Sequence, residues 1–357
     1  MRYFNLAFLL LAVLLILVAC GRQDAQEAQT DAENTARVPV ITETWQSARH
    51  EADNVDSPAA WHGDDGQHWV IATCKSTDQL LVLDATNGST LQRVGSPGEG
   101  PGQLRRPNGV AVVDDLCIVV ERDNHRVQIL RLPQWEHVAT FGADVLIKPY
   151  GVALRRTTEG YLLYVTDNYE TADEQVPPDS LLGERVKMFA LRTDANAVQA
   201  EYRGAFGATH GDGILHVVES IAVDTAHARL LIADEDARYN DIKIYDLDGR
   251  HQASIMGNGG YRYQPEGIVL CATSADEGYW FTTDQDEADN TFIILDRRTL
   301  DPVGSFKAAA TTNTDGIALT RTAMPGFPSG AFIAVHNDGN VAAIDLQRIA
   351  DSLRLTL

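Results

Sequence analysis

The sequence predicts an all-β protein, and within that class a six-bladed β-propeller. One theme occurs in six places: a polar residue, a small residue and a short apolar run. Its clear copies start about 40–70 residues apart, which is the spacing of propeller blades with variable loops. Short runs of β-branched and aromatic residues follow each copy, with turns such as Asn87-Gly88 and Asp248-Gly249 between runs. Before the C-terminal segment, no long helical period competes with these runs.

Each copy of the theme is expected to begin the inner strand of a blade, and two further strands follow it. In chain order, the following runs are 69–73 and 80–84, 117–121 and 127–130, 161–165 and 186–189, 230–233 and 242–245, 278–282 and 291–295, and 331–335 and 341–344. The second strand runs antiparallel to the inner one, so its polar end lies at the mouth where the inner strand begins. Two cations, Lys75 and Arg122, stand among these polar ends.

The first residue of each copy predicts a ring around the central channel, because rotation relates equivalent positions in successive blades. The ring residues are Asp56, Asn108, Tyr150, Glu219, Glu266 and Asp315. Carboxylates on one ring repel one another unless a cation lies among them, so the ring is a candidate metal site. The alternative is that these acids bind no metal and are solvated loop residues or turn formers.

The N-terminus predicts export and lipid anchoring. Residues 1–19 have one charge, Arg2, followed by an apolar run, and they are typical of a signal peptide. Residues 17–21 (LVACG) resemble a bacterial lipobox, which predicts cleavage before Cys20 and acylation of Cys20. An uncleaved membrane helix is the alternative, because the run approaches spanning length. With Gly21 after the cysteine, the outer membrane is expected in a Gram-negative host, with the protein periplasmic or exposed at the surface.

The rest of the chain divides into a polar tether over residues 20–44 and a propeller over residues 45–352. The net charge of −21 disfavours nucleic acid and anionic membrane surfaces as partners. An anionic substrate would therefore need bound cations. Three cysteines remain beyond Cys20, and burial is expected for Cys117 and Cys271, whereas a disulfide at Cys74 stays open. We expect a monomer.

Several motifs occur in an order that is specific to one family. They are 56–61 (DSPAAW), 148–152 (KPYGV), 218–222 (VESIA) with 233–236 (ADED), 265–268 (PEGI) with 283–286 (TDQD), and 313–317 (NTDGI) with 331–338 (AFIAVHND). Together they resemble the motifs of the β-propeller phytases, six-bladed enzymes that hydrolyse phytate (inositol hexakisphosphate) with calcium. The resemblance covers about residues 50 to 348, nearly the whole exported domain.

The resemblance implies a calcium-dependent phosphohydrolase that releases phosphate from phytate or a similar phosphorylated small molecule. It implies calcium ligands at Asp56, Glu219, Glu235, Glu266, Gln285 and Asp315. Tyr150 would lie in the active centre, and Lys75 and Arg122 would hold substrate phosphates and stabilise the transferring group. Bound calcium would activate and place the attacking water, with Glu219 and Tyr150 contacting that water. An oxygen-rich ring also suits calcium better than zinc.

The chain departs from the family pattern at four places. Ser76 stands where the family has a second lysine, Asn168 or a neighbour stands for a third-blade lysine, and Gln264 and Ser57 replace acids. A second resemblance, to one NHL repeat, covers residues 98–104, 107–112 and 124–128. It supports the propeller architecture without deciding function. The alternative function is a non-catalytic, NHL-like surface propeller that binds a protein or ligand, with calcium purely structural. An esterase or lactonase is a third possibility. Lys75 and Arg122 could instead form surface ion pairs, and Tyr150 could be a packed channel residue.

Overall fold

The computed structural model describes residues 38–194, 197–257 and 260–357. Six sheets are arranged as a six-bladed β-propeller, which confirms the predicted fold class. The predicted signal peptide, Cys20 and most of the tether lie outside the described residues. In the described part of the chain, no helix has the length and apolar character needed to span a bilayer.

Each blade is a four-stranded antiparallel sheet, and in blades one to five the strands follow chain order outward from the channel. Blade one contains β3 (Val55–His62), β4 (His68–Cys74), β5 (Gln79–Asp84) and β6 (Thr90–Val94). Blade two contains β7 (Pro107–Val113), β8 (Leu116–Glu121), β9 (Arg126–Arg131) and β10 (Glu136–Phe141). Blade three contains β11 (Pro149–Thr157), β12 (Gly160–Asp167), β13 (Val186–Thr193) and β14 (Val198–Phe206).

Blade four contains β15 (Val218–Asp224), β16 (Arg229–Asp234), β17 (Asp241–Asp246) and β18 (His251–Ile255). Blade five contains β19 (Gln264–Ala272), β20 (Gly278–Gln285), β21 (Thr291–Asp296) and β22 (Pro302–Ala308). Blade six contains β23 (Ile317–Thr320), β24 (Ala331–His336) and β25 (Asn340–Asp345), and helix α1 (Leu346–Leu353) follows it.

Two short N-terminal strands close the ring. β2 (Trp45–Gln46) pairs with β25 as the outermost strand of blade six, and β1 (Val40–Ile41) adds a parallel fifth strand to blade five. The predicted tether over residues 20–44 is therefore too long at its C-terminal end, because Val40–Ile41 already belong to a sheet. Strands of two residues have no hydrophobic period, so the sequence did not reveal them.

The hydrophobic core lies between neighbouring blades. Alternate residues of a strand point to opposite faces, so Leu80 packs toward blade two and Leu81 packs toward blade six. Cys74, Cys117 and Cys271 are free thiols buried in these layers, which confirms the expectation of burial for the latter two. Cys74 forms no disulfide, and burial raises the pKa of Cys74 and of Cys117 to about 12.

Candidate metal centre at the mouth of the channel

A β-bulge lies at the ring residue in blades one to five. In blade one, Val55 lies opposite Cys74 and Pro58 lies opposite Ala72, so that Asp56 and Ser57 together face one residue of β4. The same shift occurs at the start of the inner strands of blades two, three, four and five. Bulges of this kind redirect a side chain and are common beside functional sites.

The small residue of the repeated theme permits close approach between neighbouring inner strands. A Cβ atom added to Gly151 would lie 2.1 Å from the carbonyl oxygen of Glu219 in the next blade. At Gly109 the corresponding distance to the carbonyl oxygen of Tyr150 is 2.4 Å. These glycines therefore hold the ring residues of adjacent blades close together. The small residue of each copy and the residue after it line a narrow channel with a volume of about 90 Å³.

Three of the predicted metal ligands converge. Carboxylate oxygens of Glu219, Glu235 and Glu266 all lie within 4.8 Å of one another. Glu266 is 5% exposed, whereas the other two side chains are partly open toward the mouth. Glu219 and Glu266 come from inner strands of adjacent blades, and Glu235 follows the second strand of blade four. The structure thus brings together acids that are far apart in the chain.

Amide side chains connect the acids. Gln264 Nε2 donates hydrogen bonds to Glu235 Oε2 at 2.9 Å and to Glu266 Oε1 at 3.0 Å. The Gln285 amide donates to the Asp315 carboxylate, which places both predicted ligands in direct contact. Glu235 Oε1 is buried and has no hydrogen-bond partner among the described residues. A buried acceptor without a hydrogen-bond partner carries an uncompensated desolvation cost, so this oxygen indicates a missing donor or cation.

Positive charge is scarce at the ring. Five acids lie at the mouth: Asp56, Glu219, Glu235, Glu266 and Asp315. Among the described residues, the one ion pair between a cation and any of these acids joins Lys75 Nζ to Asp56 Oδ1 at 2.8 Å. Both side chains are largely buried, at 10% and 3% exposure. Lys148 lowers the pKa of Glu219 through its charge but pairs with Glu170 at 2.6 Å.

The pKa values of Glu219, Glu235, Glu266 and Asp315 are raised above the ordinary range of carboxyl groups. Burial, followed by the charge of Asp56, raises the pKa of Glu219 to about 8 and the pKa of Asp315 to about 9. Burial and neighbouring acids likewise raise the pKa values of Glu235 and Glu266. Without a cation, repulsion is therefore relieved by proton uptake.

Tyr150 lies within this acidic cluster. Its hydroxyl lowers the pKa of Glu219 relative to what burial alone would produce. Burial and then the charge of Glu219 raise the pKa of Tyr150, so the phenol remains a donor at neutral pH. The predicted placement of Tyr150 beside Glu219 is therefore seen in the structure.

Arg122 has different surroundings. Its Nε lies 2.7 Å from Asp123 Oδ1, and no ion pair joins it to a ring acid within the described ranges. The pair is partly exposed, so it resembles the surface ion pair that the sequence left open as the alternative reading. The structure does not bring Arg122 into contact with Glu219 or Asp56.

The acids at the second-strand ends play a structural role. Asp167 accepts hydrogen bonds from the backbone N–H groups of Ile147 and Lys148, at 3.0 and 2.6 Å. Asp284 accepts from the N–H groups of Arg262 and Tyr263, at 3.0 and 2.8 Å. These carboxylates fix the loop that leads into the inner strand of their own blade. They are therefore not free to ligate a metal.

Sequence reasoning gave no role to two residues at the mouth. Asn108 is fully buried, and both its side-chain oxygen and its nitrogen lack a hydrogen-bond partner in the described structure. Its place in the ring was apparent from the repeated theme, but its isolation was not. Gln264 was noted only as the replacement of an acid, whereas its amide bridges two acids.

The donor set fits a hard divalent cation. Glu219, Glu235, Glu266, Asp56 and Asp315 offer carboxylate oxygens, and Gln285 and Asn108 add amide oxygens. Calcium prefers such oxygen ligands in a flexible arrangement, whereas zinc prefers histidine and cysteine. The orphaned Glu235 Oε1 and the excess of carboxylates over cations are the observations that favour a bound ion.

The fold and this acidic mouth define the chain as a six-bladed β-propeller with a candidate metal centre on its axis. No protein-family model and no curated protein matches the sequence. Among solved structures, the chain is similar to hydrazine synthase from Kuenenia stuttgartiensis, with a TM-score of 0.50 and 10% sequence identity. The match covers 87% of this chain and 82% of that chain. At such low identity the similarity shows the propeller fold alone.

Proposed function

We propose that this protein is a calcium-dependent phosphohydrolase that releases phosphate from phytate or another phosphorylated small molecule. The observation that carries the proposal is the convergence of Glu219, Glu235 and Glu266 from two adjacent blades, with Lys75 paired to a further ring acid, Asp56. We further propose that it acts outside the cytoplasm, anchored to a membrane through lipidated Cys20, as its N-terminal sequence predicts.

The residues that would hold calcium are Asp56, Glu219, Glu235, Glu266, Gln285 and Asp315. When bound, calcium would supply the positive charge that attracts a phosphate group to an acidic mouth and would lower the pKa of water. In the metal-free protein the pKa of Glu219 is about 8, and bound calcium would keep this carboxyl ionised. Glu219 and Tyr150 would contact the attacking water.

The two cations have separate roles in this proposal. Lys75 carries three N–H donors, and its bond to Asp56 uses one, so the others can reach a phosphate oxygen at the mouth. Arg122 would have to leave Asp123 to bind phosphate. Because the Arg122–Asp123 pair is partly exposed, breaking it costs about 1 kcal/mol or less.

Phosphate release from phytate by the full chain, with calcium and with a chelator, tests the proposal. We expect release that requires calcium and falls at least about 100-fold in Glu219→Gln, because the variant removes a charge and a proton acceptor from the centre. Glu287→Gln is the matched control, since Glu287 is exposed in blade five. Equal activity of Glu219→Gln and Glu287→Gln would contradict the assignment.

A second candidate is a non-catalytic propeller that binds a partner, with calcium joining the blades. It is favoured by one observation: Lys75 and Arg122, the two predicted phosphate-binding cations, are each paired with an acid. In that case calcium raises the melting temperature and phytate is not turned over. Acid release from a panel of small carboxylic esters and lactones, with calcium and with a chelator, tests the third possibility, an esterase or lactonase.

A further inference from the structure

A second polar cavity lies in blade four, separate from the ring acids. It has a volume of about 680 Å³, and His216, Tyr239, Asp241, Lys243, Gln252 and Ser254 are among its lining residues. β16 ends and β17 begins at the end of the propeller where the ring residues lie, so the cavity opens at that end. Because β17 is the third strand of its blade, the cavity lies farther from the axis.

A buried ion pair forms one wall of this cavity. Lys243 Nζ lies 2.7 Å from Asp241 Oδ2, and the two residues are 3% and 5% exposed. Asp241 Oδ1 is buried, and the described residues provide it with no hydrogen-bond donor. A buried carboxylate oxygen without a donor carries its full desolvation cost, and Asp241 is one of the residues that line the cavity. This oxygen therefore indicates a ligand that donates a hydrogen bond.

His216 supplies a second unpartnered polar atom. The residue is 2% exposed, and its Nδ1 lies 3.3 Å from Asp234 Oδ2. Its Nε2 makes no hydrogen bond within the described structure, although Asp179 Oδ1 lies 3.4 Å away on an exposed side chain. Depending on its protonation, Nε2 either donates or accepts. A ligand group suited to this position must be able to do both.

Tyr239 gives the cavity an aromatic surface. Its ring stacks on the His216 imidazole, with centroids 4.8 Å apart and an interplanar angle of 14°. The residue is 41% exposed, and Lys243 Nζ lies 5.0 Å from its ring centroid. An added ammonium group would meet the charge of Lys243, and an added carboxylate or phosphate would meet the charge of Asp241. The neutralised pair thus favours an uncharged ligand.

We infer that this cavity binds a neutral saccharide. Hydroxyl groups both donate and accept, so they match Asp241 Oδ1, Lys243 Nζ and either state of His216 Nε2. The carbon–hydrogen face of a sugar ring packs on an exposed aromatic side chain such as Tyr239. The cavity volume of about 680 Å³ lies within the range of small-molecule sites, about 300–1,000 Å³. This site is independent of the proposed catalytic function.

Saturation-transfer NMR followed by calorimetry tests the inference on the full chain, held in a detergent without a sugar head group. The probes are glucose, galactose, N-acetylglucosamine and maltose, with glucosamine and glucuronate as charged counterparts. We expect at least one neutral sugar to bind, equally well with and without chelator. Asp241→Asn and Tyr239→Ala should each weaken that binding about tenfold or more.

Asp301→Asn is the matched control, because Asp301 is exposed in blade five, and its binding should equal that of the unchanged protein. Tyr239→Ala keeps the test decisive if Asp241→Asn fails to fold, since Tyr239 is exposed. Binding of glucosamine alone or glucuronate alone would overturn the inference of an uncharged ligand. Absence of binding by every neutral sugar, or binding that Tyr239→Ala leaves unchanged, would overturn the site.

Discussion

Asp234 and Glu235 are adjacent acids at the end of the same strand, yet their surroundings are opposite. Asp234 is fully buried, and it accepts from the N–H groups of His216 at 3.0 Å and Val217 at 3.1 Å. Glu235 has one amide partner, Gln264, and a buried oxygen without any partner among the described residues. Successive side chains of a strand point in opposite directions, so one acid faces the loop and the other faces the channel.

The same division appears in blade five. Asp284 holds two backbone N–H groups, whereas Gln285, the next residue, reaches Asp315 on the channel side. The comparison teaches that the role of an acid in this protein depends on the number of N–H donors around it and not on residue type. Carboxylates that accept several hydrogen bonds stabilise the loops, whereas carboxylates without such donors repel one another until a proton or a cation binds.

Removal of a satisfied acid should give the largest effect. Glu121 is fully buried and accepts from Arg126 at 2.8 Å, Gln128 at 2.6 Å and Asn124 at 2.6 Å. Glu121→Ala leaves the Arg126 charge buried without its partner, so we expect a loss of about 3–5 kcal/mol in the free energy of unfolding. Urea unfolding measures it, with exposed Glu136→Ala as the control. A loss below about 1 kcal/mol in the free energy of unfolding would contradict the distinction between hydrogen-bonded acids and the repelling acids of the mouth.

The unsatisfied acids should make the metal-free protein less stable as the pH rises. The pKa of Glu219 is about 8 and that of Asp315 about 9 in the folded state, whereas in the unfolded chain such groups titrate near pH 4. Between these limits the folded state binds more protons, so stability falls with increasing pH. Calcium displaces the protons and should flatten this dependence.

Melting temperatures measured from about pH 5 to pH 9, in chelator and in calcium, check this prediction. In chelator the melting temperature should decline across the range, and in calcium it should stay nearly level. A melting temperature that rises with pH in chelator would mean that the ring acids are not held protonated.

A neutral substitution in the ring should give a smaller effect of the opposite sign to Glu121→Ala. Glu266→Gln removes one of the mutually repelling acids and retains an oxygen that can accept from Gln264. At about pH 9 and without metal, we expect the free energy of unfolding to increase, because burial and the neighbouring acids raise the pKa of Glu266. The rise in melting temperature caused by calcium should shrink, because one ligand charge is lost. A lower stability of Glu266→Gln than of the unchanged protein in chelator would contradict repulsion among these acids.

The smallest effect is expected at Arg122, which follows Glu121 directly. Its pair with Asp123 is partly exposed, so Arg122→Gln should change the free energy of unfolding by less than about 1 kcal/mol. Glu121→Ala, measured in parallel, provides the contrast between a buried network and a surface pair. A loss of several kcal/mol in Arg122→Gln would mean that Arg122 supports the structure of the mouth.

The repeated theme made the fold and the ring positions predictable. Asp56, Glu219, Glu266 and Asp315 could be aligned because each stands before a small residue and an apolar strand. The distinction between Asp234 and Glu235 could not be predicted, because it depends on N–H groups donated by a loop distant in sequence. The bridging of Glu235 by Gln264 was hidden for the same reason, whereas the pairing of Arg122 with the adjacent Asp123 is the surface ion pair that the sequence had left open as the alternative. β1 and β2 are too short for a periodic signal.

The pairing of Trp45 with Ala343 has a kinetic consequence. Nearly the whole of residues 45–343 must be available before this contact can form, and loop-closure entropy opposes contacts of such sequence separation. The first four blades can assemble from neighbouring segments, whereas blades five and six are completed by β1 and β2 from the other end of the domain. We therefore expect the pairing of β2 with β25 to form late, and until it forms β25 has an open edge.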